Sequence, residues 1–282
     1  MRENAKVVSQ RLQVNGISIG IEQRGNQQQI PLVLLHGFTG SASGWGSLLD
    51  MLAISGFHVI AIDMLGHGQS DAPADPHRYS MEHCQADIIG VLRQLAIQPG
   101  EAILLGYSMG GRIALYTAFS GYFRALILES ASPGIADPIE REQRRLSDMA
   151  LADRIERDGI ASFVHYWENL PLFASQHSLP PDKQAALHQQ RLNNNPQGLA
   201  NSLRGVGTGA QPALHEKLPE LTIPVLLLTG GLDSKFCTIA QKMQLSIGRQ
   251  AQWVVAVGMG HAVHLEDPEG FVKQMQAFCS SL

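Results

Sequence analysis

A serine lies at the centre of a glycine-rich segment, residues 106–111, whose sequence is GYSMGG. The segment directly follows the apolar run 102–105 and directly precedes a run with helical spacing. Glycines two residues on either side of Ser108 relieve the crowding of a sharp strand-to-helix turn, and such a turn exposes the serine hydroxyl. The helix N-terminus behind it offers amide donors and a positive dipole end to a developing oxyanion. The pattern predicts a catalytic serine at position 108.

A serine hydroxyl needs an imidazole to take its proton before it reacts at neutral pH. His261 is the candidate base, because it follows the apolar run 252–256 and precedes the last helical segment. A loop in that place lies at the carboxyl edge of a parallel sheet, where the serine is also expected. His264, three residues later, is the alternative base.

The acid that orients the imidazole is expected between the serine and the histidine in the chain. Asp233 follows the apolar run 225–229 through two glycines, again at the carboxyl end of a strand. Its carboxylate would hold the imidazole tautomer and stabilise the imidazolium ion. Glu129, which ends the run 125–128, is the alternative acid.

Two backbone amides are expected to complete this site. The residues LHGF at 35–38 end an apolar run, and Met109 directly follows the serine. The amides of Phe38 and Met109 are therefore the predicted oxyanion-hole donors, each worth on the order of 10²-fold or more in rate.

The elements that must position these residues follow an alternating pattern. Six short apolar runs predict strands buried on both faces of a mostly parallel sheet. They are residues 31–35, 58–62, 102–105, 125–128, 225–229 and 252–256. Segments with helical spacing at 80–95, 110–119, 238–246 and 268–278 supply the crossovers. Residues 10–23 alternate around Asn15-Gly16, which predicts a hairpin at an antiparallel edge of this α/β sheet.

The alternation stops between residues 133 and 211, where amphipathic helical stretches occur without a convincing strand. We expect a helical lid here, inserted between the two parts of one sheet domain, residues 1–132 and 212–282. The segment holds eight Lys or Arg and nine Asp or Glu, so a general basic patch is not indicated. Anion binding by the lid must depend on single arginines.

Composition limits the classes of partner. The net charge of −4 over 282 residues gives no basic field for nucleic acid or anionic membranes. The three cysteines, at 84, 237 and 279, show neither a disulfide framework nor a zinc-ligand spacing, so we expect no metal and no cofactor. The N-terminus lacks the apolar run of a signal peptide and no run is long enough for a membrane span, so we expect a cytoplasmic protein. Neither a monomer nor a homo-oligomer is indicated.

On these motifs the chain resembles the α/β-hydrolase superfamily over nearly its full length. Within it, the chain looks like a family of lyases in menaquinone biosynthesis. The most specific marks are GYSMGGR at 106–112, RLNNN at 191–195 and DSKF at 233–236. The resemblance implies a small-molecule substrate with several carboxylates, from which a proton is abstracted and pyruvate is eliminated without the use of water.

The resemblance also implies site residues. It makes Ser108, Asp233 and His261 the triad. The substrate-binding residues that it implies are Tyr107, Arg112, Arg144, Trp167 and Arg191. Arg141 and Arg145 are alternatives to Arg144, because a small alignment shift exchanges them.

Chemistry independent of the family supports the arginines. Arg112 lies four residues after Ser108, which places both on one helix face, and a guanidinium binds a carboxylate with two parallel hydrogen bonds. The alternative for each arginine is a solvated surface position, and for Tyr107 and Trp167 a place in the core.

Three functions fit these residues. The first is the pyruvate-eliminating lyase, with Ser108 polarised by His261 as the base. The second is a serine hydrolase, an esterase or C–C hydrolase, that forms an acyl-enzyme. The third is a receptor that binds a ligand without turnover. The triad suits both enzymes, and the lid arginines with Asn193 to Asn195 favour the lyase.

Overall fold

A computed structural model of the chain describes residues 8–282. Its strands are β1 (Val8–Val14), β2 (Ile17–Arg24), β3 (Ile30–Leu35), β4 (Phe57–Ile62), β5 (Ile103–Tyr107), β6 (Ala125–Glu129), β7 (Val225–Gly230) and β8 (Ala251–Ala256). The α-helices of the same region are α1 (Leu48–Ile54), α2 (Met81–Gln94), α3 (Met109–Ala118), α4 (Pro138–Glu168), α5 (Pro181–Leu192), α6 (Pro196–Val206), α7 (Ser234–Ile247), α8 (Val263–Glu266) and α9 (Pro268–Cys279). None of the helices within residues 8–282 is both long enough and apolar enough to cross a membrane.

The strands form one sheet in the order β1-β2-β4-β3-β5-β6-β7-β8. The hairpin of β1 and β2 is antiparallel, β2 runs antiparallel to β4, and every later pair is parallel. Asn15 and Gly16 connect the hairpin with positive φ angles of 50° and 81°, as a tight two-residue turn requires. The predicted hairpin and all six predicted strands are confirmed. The prediction that β8 is buried on both faces is wrong, because β8 forms an edge of the sheet and none of its residues is fully buried.

Helices cover both faces of the sheet, which explains why its central strands are apolar on both sides. Leu32, Val33, Leu34 and Leu35 in β3, for example, are all fully buried. Helices α2, α3 and α7 belong to the core on one face, and α1 and α9 belong to the core on the other. The carboxyl ends of the parallel strands therefore meet at one edge, which is where the candidate catalytic residues lie.

Between β6 and β7 the described chain has no strand and forms α4, the 3-10 helix Pro171–Ser178, α5, α6 and the 3-10 helix His215–Glu220. Asp137 caps the start of α4 by accepting the amides of Ile139 and Glu140. Gly159 bends this helix with a φ of 79°. Helices α4 and α6 share a separate small core. The absence of strands from this segment was predicted, and the division into a lid and a sheet domain stays a prediction.

Candidate active site

Ser108 occupies the turn that joins β5 directly to α3. Its φ and ψ are 52° and −108°, a conformation that residues with a Cβ rarely adopt. The Ser108 amide donates a hydrogen bond to the backbone oxygen of Glu129 at the end of β6, with a distance of 2.9 Å. The turn is thus held against the neighbouring strand, and its backbone strain is retained by the surrounding sheet.

The glycines around the serine are required by close backbone contacts. A Cβ on Gly106 would lie 2.3 Å from the backbone oxygen of Gly110. A Cβ on Gly110 would lie 2.2 Å from the backbone oxygen of Leu35 in β3. Helix α3 can therefore start this close to β3 and β5 only because both positions lack a side chain. This agrees with the role that the sequence analysis gave to the glycines.

The structure brings Ser108, His261 and Asp233 together from three strand ends. Nε2 of His261 lies 3.0 Å from Oγ of Ser108, and Nδ1 lies 2.6 Å from Oδ2 of Asp233. Because the carboxylate accepts the Nδ1 proton, Nε2 is free to accept the serine proton. Asp233 also caps α7, since its Oδ1 accepts the amide of Phe236 at 3.2 Å. Helix α7 therefore fixes the acid, and the acid fixes the base.

Aromatic rings surround the His261 imidazole. The ring centroids of Phe236 and Tyr107 lie 4.7 and 5.5 Å from that of His261. His261 itself is buried. Burial raises the pKa of Tyr107 well above its ordinary value, and the nearby Glu129 carboxylate adds to the increase. The Tyr107 side chain that lines the site is therefore uncharged at physiological pH.

The two alternative triad members are paired with each other. Nδ1 of His264 lies 2.8 and 2.9 Å from the two carboxylate oxygens of Glu129. Within residues 8–282 neither side chain makes a hydrogen bond to Ser108 or to Asp233. The structure therefore provides a second histidine–carboxylate pair beside the first.

The predicted oxyanion-hole amides both lie at the cavity beside Ser108. Met109 is the first residue of α3, so its amide has no partner within the helix. Among the described residues, neither this amide nor that of Phe38 donates to another protein group. A Cβ on Gly37 would lie 2.7 Å from the Tyr107 ring, so the glycine lets the segment before Phe38 pass close to the serine.

A cavity of about 470 Å³ opens above the triad. The sheet core lines one side, and the segment between β6 and β7 lines the other. Ser108 and His261 lie at its wall, as do all five residues expected to bind substrate, namely Tyr107, Arg112, Arg144, Trp167 and Arg191. Arg141 and Arg145, the alternatives to Arg144, are not among the lining residues.

Arg112 is a buried cation that links α3 to the end of α6. Its Nη1 donates to the backbone oxygen of Val206 at 2.7 Å and to Oε1 of Gln211 at 3.1 Å. Burial lowers the pKa of Arg112 to about 10, and the neighbouring Arg144 contributes to the decrease. The guanidinium remains charged at neutral pH, and its position is not that of a solvated surface arginine.

The other two arginines already have carboxylate partners. Nη1 of the buried Arg191 lies 3.0 Å from Glu168, and Nη2 donates to Gln176 at 2.7 Å. Nε of Arg144 donates to Asp148 at 2.7 Å, while its side chain stays 43% exposed. Arg191 is therefore hydrogen-bonded through two of its nitrogens, whereas Arg144 is hydrogen-bonded through one.

Four buried polar atoms on residues that line the cavity have no hydrogen-bond partner within the described residues. They are Nε of Arg191, the indole nitrogens of Trp45 and Trp167, and Oγ of Ser130. Buried polar groups in proteins are nearly always paired, so these atoms are exceptions, and each is itself enclosed rather than open to the cavity. Trp167 also packs against Phe38 and Phe173, which gives it a structural role as well.

Several residues at the site carried no signal in the sequence. Trp45 and Phe173 line the cavity from a 3-10 turn and from the helical segment, and no motif marks either of them. Glu168 and Gln176, which hold Arg191, lie 23 and 15 residues before it in the chain. Lys235 also lines the cavity, and it was noticed only as part of the DSKF segment.

The sheet order, the turn at Ser108 and the chain order of Ser108, Asp233 and His261 indicate the class of protein. The sequence profile of the α/β hydrolase family matches residues 32–274. The chain belongs to the α/β hydrolase family, and the predicted fold class is confirmed.

Individual relatives are more specific. A Bacillus subtilis (strain 168) protein, provisionally named 2-succinyl-6-hydroxy-2,4-cyclohexadiene-1-carboxylate synthase, is 42% identical over 95% of this chain and 97% of its own. The synthase of that name from Salmonella agona (strain SL483) is 35% identical over 86% of this chain and 91% of its own. The solved structure of MenH from S. aureus has a TM-score of 0.86 and 34% identity over 97% of this chain and 98% of its own. The resemblance is confirmed, and the chain is an enzyme of this fold.

Proposed function

We propose that this chain is a carbon–oxygen lyase of menaquinone biosynthesis. It would eliminate pyruvate from 2-succinyl-5-enolpyruvyl-6-hydroxy-3-cyclohexene-1-carboxylate and release 2-succinyl-6-hydroxy-2,4-cyclohexadiene-1-carboxylate. The names of the relatives support this product. The observation that carries the proposal is the cavity itself, whose lining residues include three arginines together with Ser108 and His261.

The substrate carries three carboxylates, and the cavity offers matching cations. Arg112 is buried and charged, and Arg191 has one buried nitrogen without an acceptor. Desolvated charge-assisted hydrogen bonds of this kind are stronger than those between neutral groups. We propose that Arg112, Arg144 and Arg191 bind carboxylates, with Trp167 and Tyr107 packed against the ring of the substrate.

The triad would act on a carbon acid. The proton to be removed is on the ring carbon next to the succinyl ketone, and His261 polarises Ser108 so that its oxygen accepts that proton. The C–H electron pair forms the first double bond of the product, the existing ring double bond shifts, and the bond to the enolpyruvyl oxygen breaks. The proton passes through Ser108 to His261 and then to the leaving enolate, which becomes pyruvate. No water enters this balance.

The oxyanion hole has a matching role. As the proton leaves, charge develops on the ketone oxygen of the substrate, and the free amides of Phe38 and Met109 are the donors that would stabilise it. These amides flank Ser108 at the cavity. The same arrangement would serve a tetrahedral intermediate, so the alternative of a serine hydrolase uses the same atoms.

We further propose that residues 133–211 act as a lid on the sheet domain formed by residues 1–132 and 212–282. The contacts of Arg112 with Val206 and Gln211 tie the active-site helix to this segment. Arg144, Trp167 and Arg191 all lie on it and face the cavity. A lid would therefore bring the proposed carboxylate-binding groups to the substrate and exclude water.

The proposal is tested by the release of pyruvate. Purified protein should convert the pathway intermediate to pyruvate, followed continuously with lactate dehydrogenase and NADH, while the absorbance of the conjugated diene rises at the same rate. An ester such as p-nitrophenyl butyrate serves as the comparison substrate. Ester hydrolysis without pyruvate release would favour the hydrolase.

A further inference from the structure

Glu129 connects the two segments that carry Ser108 and His261. Its backbone oxygen accepts the amide of Ser108 at 2.9 Å. Its carboxylate accepts the backbone amide of His264 at 3.0 Å as well as the Nδ1 proton of that ring. His264 follows His261 by three residues. Glu129 is therefore hydrogen-bonded both to the segment that carries Ser108 and to the segment that carries His261.

The contact between Glu129 and His264 is completely enclosed. The Glu129 side chain is 0% exposed, and within residues 8–282 the two N–H groups of His264 are its hydrogen-bond partners. A buried carboxylate is costly unless it is fully hydrogen-bonded. The short helix α8, which begins next to His264, cannot move away from β6 without breaking these bonds. Its position relative to the serine turn is therefore fixed.

The His264 ring also supports the site by packing. Its centroid lies 4.7 Å from that of Tyr107, the residue before Ser108, and 4.6 Å from that of Trp45. Tyr107 in turn lies against His261. A shift of His264 would reach Ser108 and His261 through this ring contact as well as through the backbone.

We propose that Glu129 and His264 are positioning residues, which hold the histidine loop in register with the serine turn. Their effect is on the geometry between Nε2 of His261 and Oγ of Ser108, now 3.0 Å apart. A displacement of about 1 Å in such a pair can cost about 10²-fold in rate. The inference rests on the proposed roles of Ser108 and His261 but does not depend on which reaction they catalyse.

Three variants separate positioning from other roles. Glu129→Gln keeps the shape of the side chain but replaces one carboxylate oxygen with an NH₂ group. Nδ1 of His264, which contacts two oxygens in the wild type, can then contact only one. His264→Leu removes the ring donor and leaves the buried carboxylate with the backbone amide alone. His264→Asn is the conservative variant, because an amide nitrogen bonded to Cγ stands where Nδ1 stands and can still donate to Glu129.

The first readout is the reactivity of Ser108 itself. Phenylmethylsulfonyl fluoride sulfonylates a serine only when the histidine activates it, and mass spectrometry follows the labelling without any natural substrate. Glu129→Gln and His264→Leu should be labelled about 10- to 100-fold more slowly than the wild type, and His264→Asn within about threefold. Steady-state kinetics should show the same losses in kcat with little change in KM.

The second readout is spectroscopic. The short bond between His261 and Asp233 should give a proton NMR signal far downfield, which the wild type and His264→Asn should share. Glu129→Gln and His264→Leu should shift or broaden it. The control is His58→Asn, which disturbs another buried histidine. His58 lies on β4 and is hydrogen-bonded to Gln23 on β2 at 2.9 Å. This variant should keep the wild-type labelling rate and signal.

The proposal is overturned if Glu129→Gln and His264→Leu react at the wild-type rate. It is also overturned if His264→Asn is as slow as His264→Leu, because the hydrogen bond that His264 donates to Glu129 would then not be what positions the loop. Should His264→Leu fail to fold, Glu129→Gln and His264→Asn still decide between these outcomes. Wild-type labelling of a Ser108→Ala chain would instead show that the proposed role of Ser108 is wrong.

Discussion

Asp233 divides its carboxylate between His261 and the first turn of helix α7. One oxygen lies 2.6 Å from Nδ1 of His261, and the other accepts the Phe236 amide at 3.2 Å. The residue therefore has two separable roles, one electrostatic and one structural. Substitutions at this position can distinguish them.

Asp233→Asn should keep the helix cap and lose the charge that holds the imidazole tautomer. We expect kcat to fall by about 10²-fold or more, while the free energy of unfolding of the variant stays that of the wild type. Asp233→Ala should lose the cap too, at a further cost of about 1 kcal/mol in the free energy of unfolding. Kinetics and urea unfolding of the two variants check this, and equal stabilities would remove the capping role.

Ser108→Ala should lower kcat by at least about 10³-fold, since the base or nucleophile is lost in either enzymatic reaction. Circular dichroism and thermal unfolding should match the wild type, because only one hydroxyl is removed. Activity within tenfold of the wild type would contradict the assignment of the triad.

Arg112→Lys tests whether a buried guanidinium binds a carboxylate in the cavity. Lysine keeps the charge but loses the planar pair of donors. We therefore expect a decrease in kcat/KM that corresponds to about 2 to 4 kcal/mol of lost transition-state stabilisation. The matched control is Arg145→Lys on α4, an arginine that pairs with Glu142 at 2.6 Å and does not line the cavity. If both variants are silent, Arg112 does not bind substrate and the proposed polycarboxylate loses its main support.

Buried histidines near the site should make the fold sensitive to acid. Burial lowers the pKa of His67 from 6.5 to about 3, and the nearby His36 contributes. The unfolded chain therefore binds a proton below pH 6.5 that the folded chain does not, and stability should fall from pH 6.5 towards 3.

His67→Asn should reduce this loss of stability by up to about 1.4 kcal/mol per pH unit, the contribution of one proton. Urea unfolding of the variant and the wild type at several pH values between about 4 and 7 measures the two slopes. Parallel slopes would mean that His67 does not contribute.

The sheet was predictable because its pattern is local. Each central strand, such as β3, is apolar on both faces and ends in a polar or glycine-containing loop, so its position can be read from consecutive residues. The serine turn was equally predictable, since Gly106 meets the backbone of Gly110 only four residues later and the two glycines mark the turn in the sequence. The contact that requires Gly110, with the backbone of Leu35 in β3, is not local. The order serine, acid, histidine that is expected along the chain then predicts Asp233 and His261, and the structure brings both side chains to Ser108.

The pairs that stabilise the site were not predictable in the same way. The sequence offers Glu129 and His264 as alternatives to Asp233 and His261, yet these two residues are hydrogen-bonded to each other across 135 residues. The RLNNN motif predicts a role for Arg191, but the contacts of Arg191 with Glu168 and Gln176 depend on how α4, α5 and the 3-10 helix between them pack. Such contacts are set by tertiary packing, and no local pattern encodes them.

The central claim is that Ser108 acts as a base in an elimination and forms no ester. The most direct test is turnover of the pathway intermediate in ¹⁸O-labelled water, with mass spectrometry of the products and of the quenched enzyme. We expect pyruvate release, a cyclohexadiene product whose carboxylates carry no label, and an unmodified protein mass. An acyl group on Ser108, or one ¹⁸O atom incorporated into a product carboxylate per turnover, would contradict this claim and indicate a hydrolase.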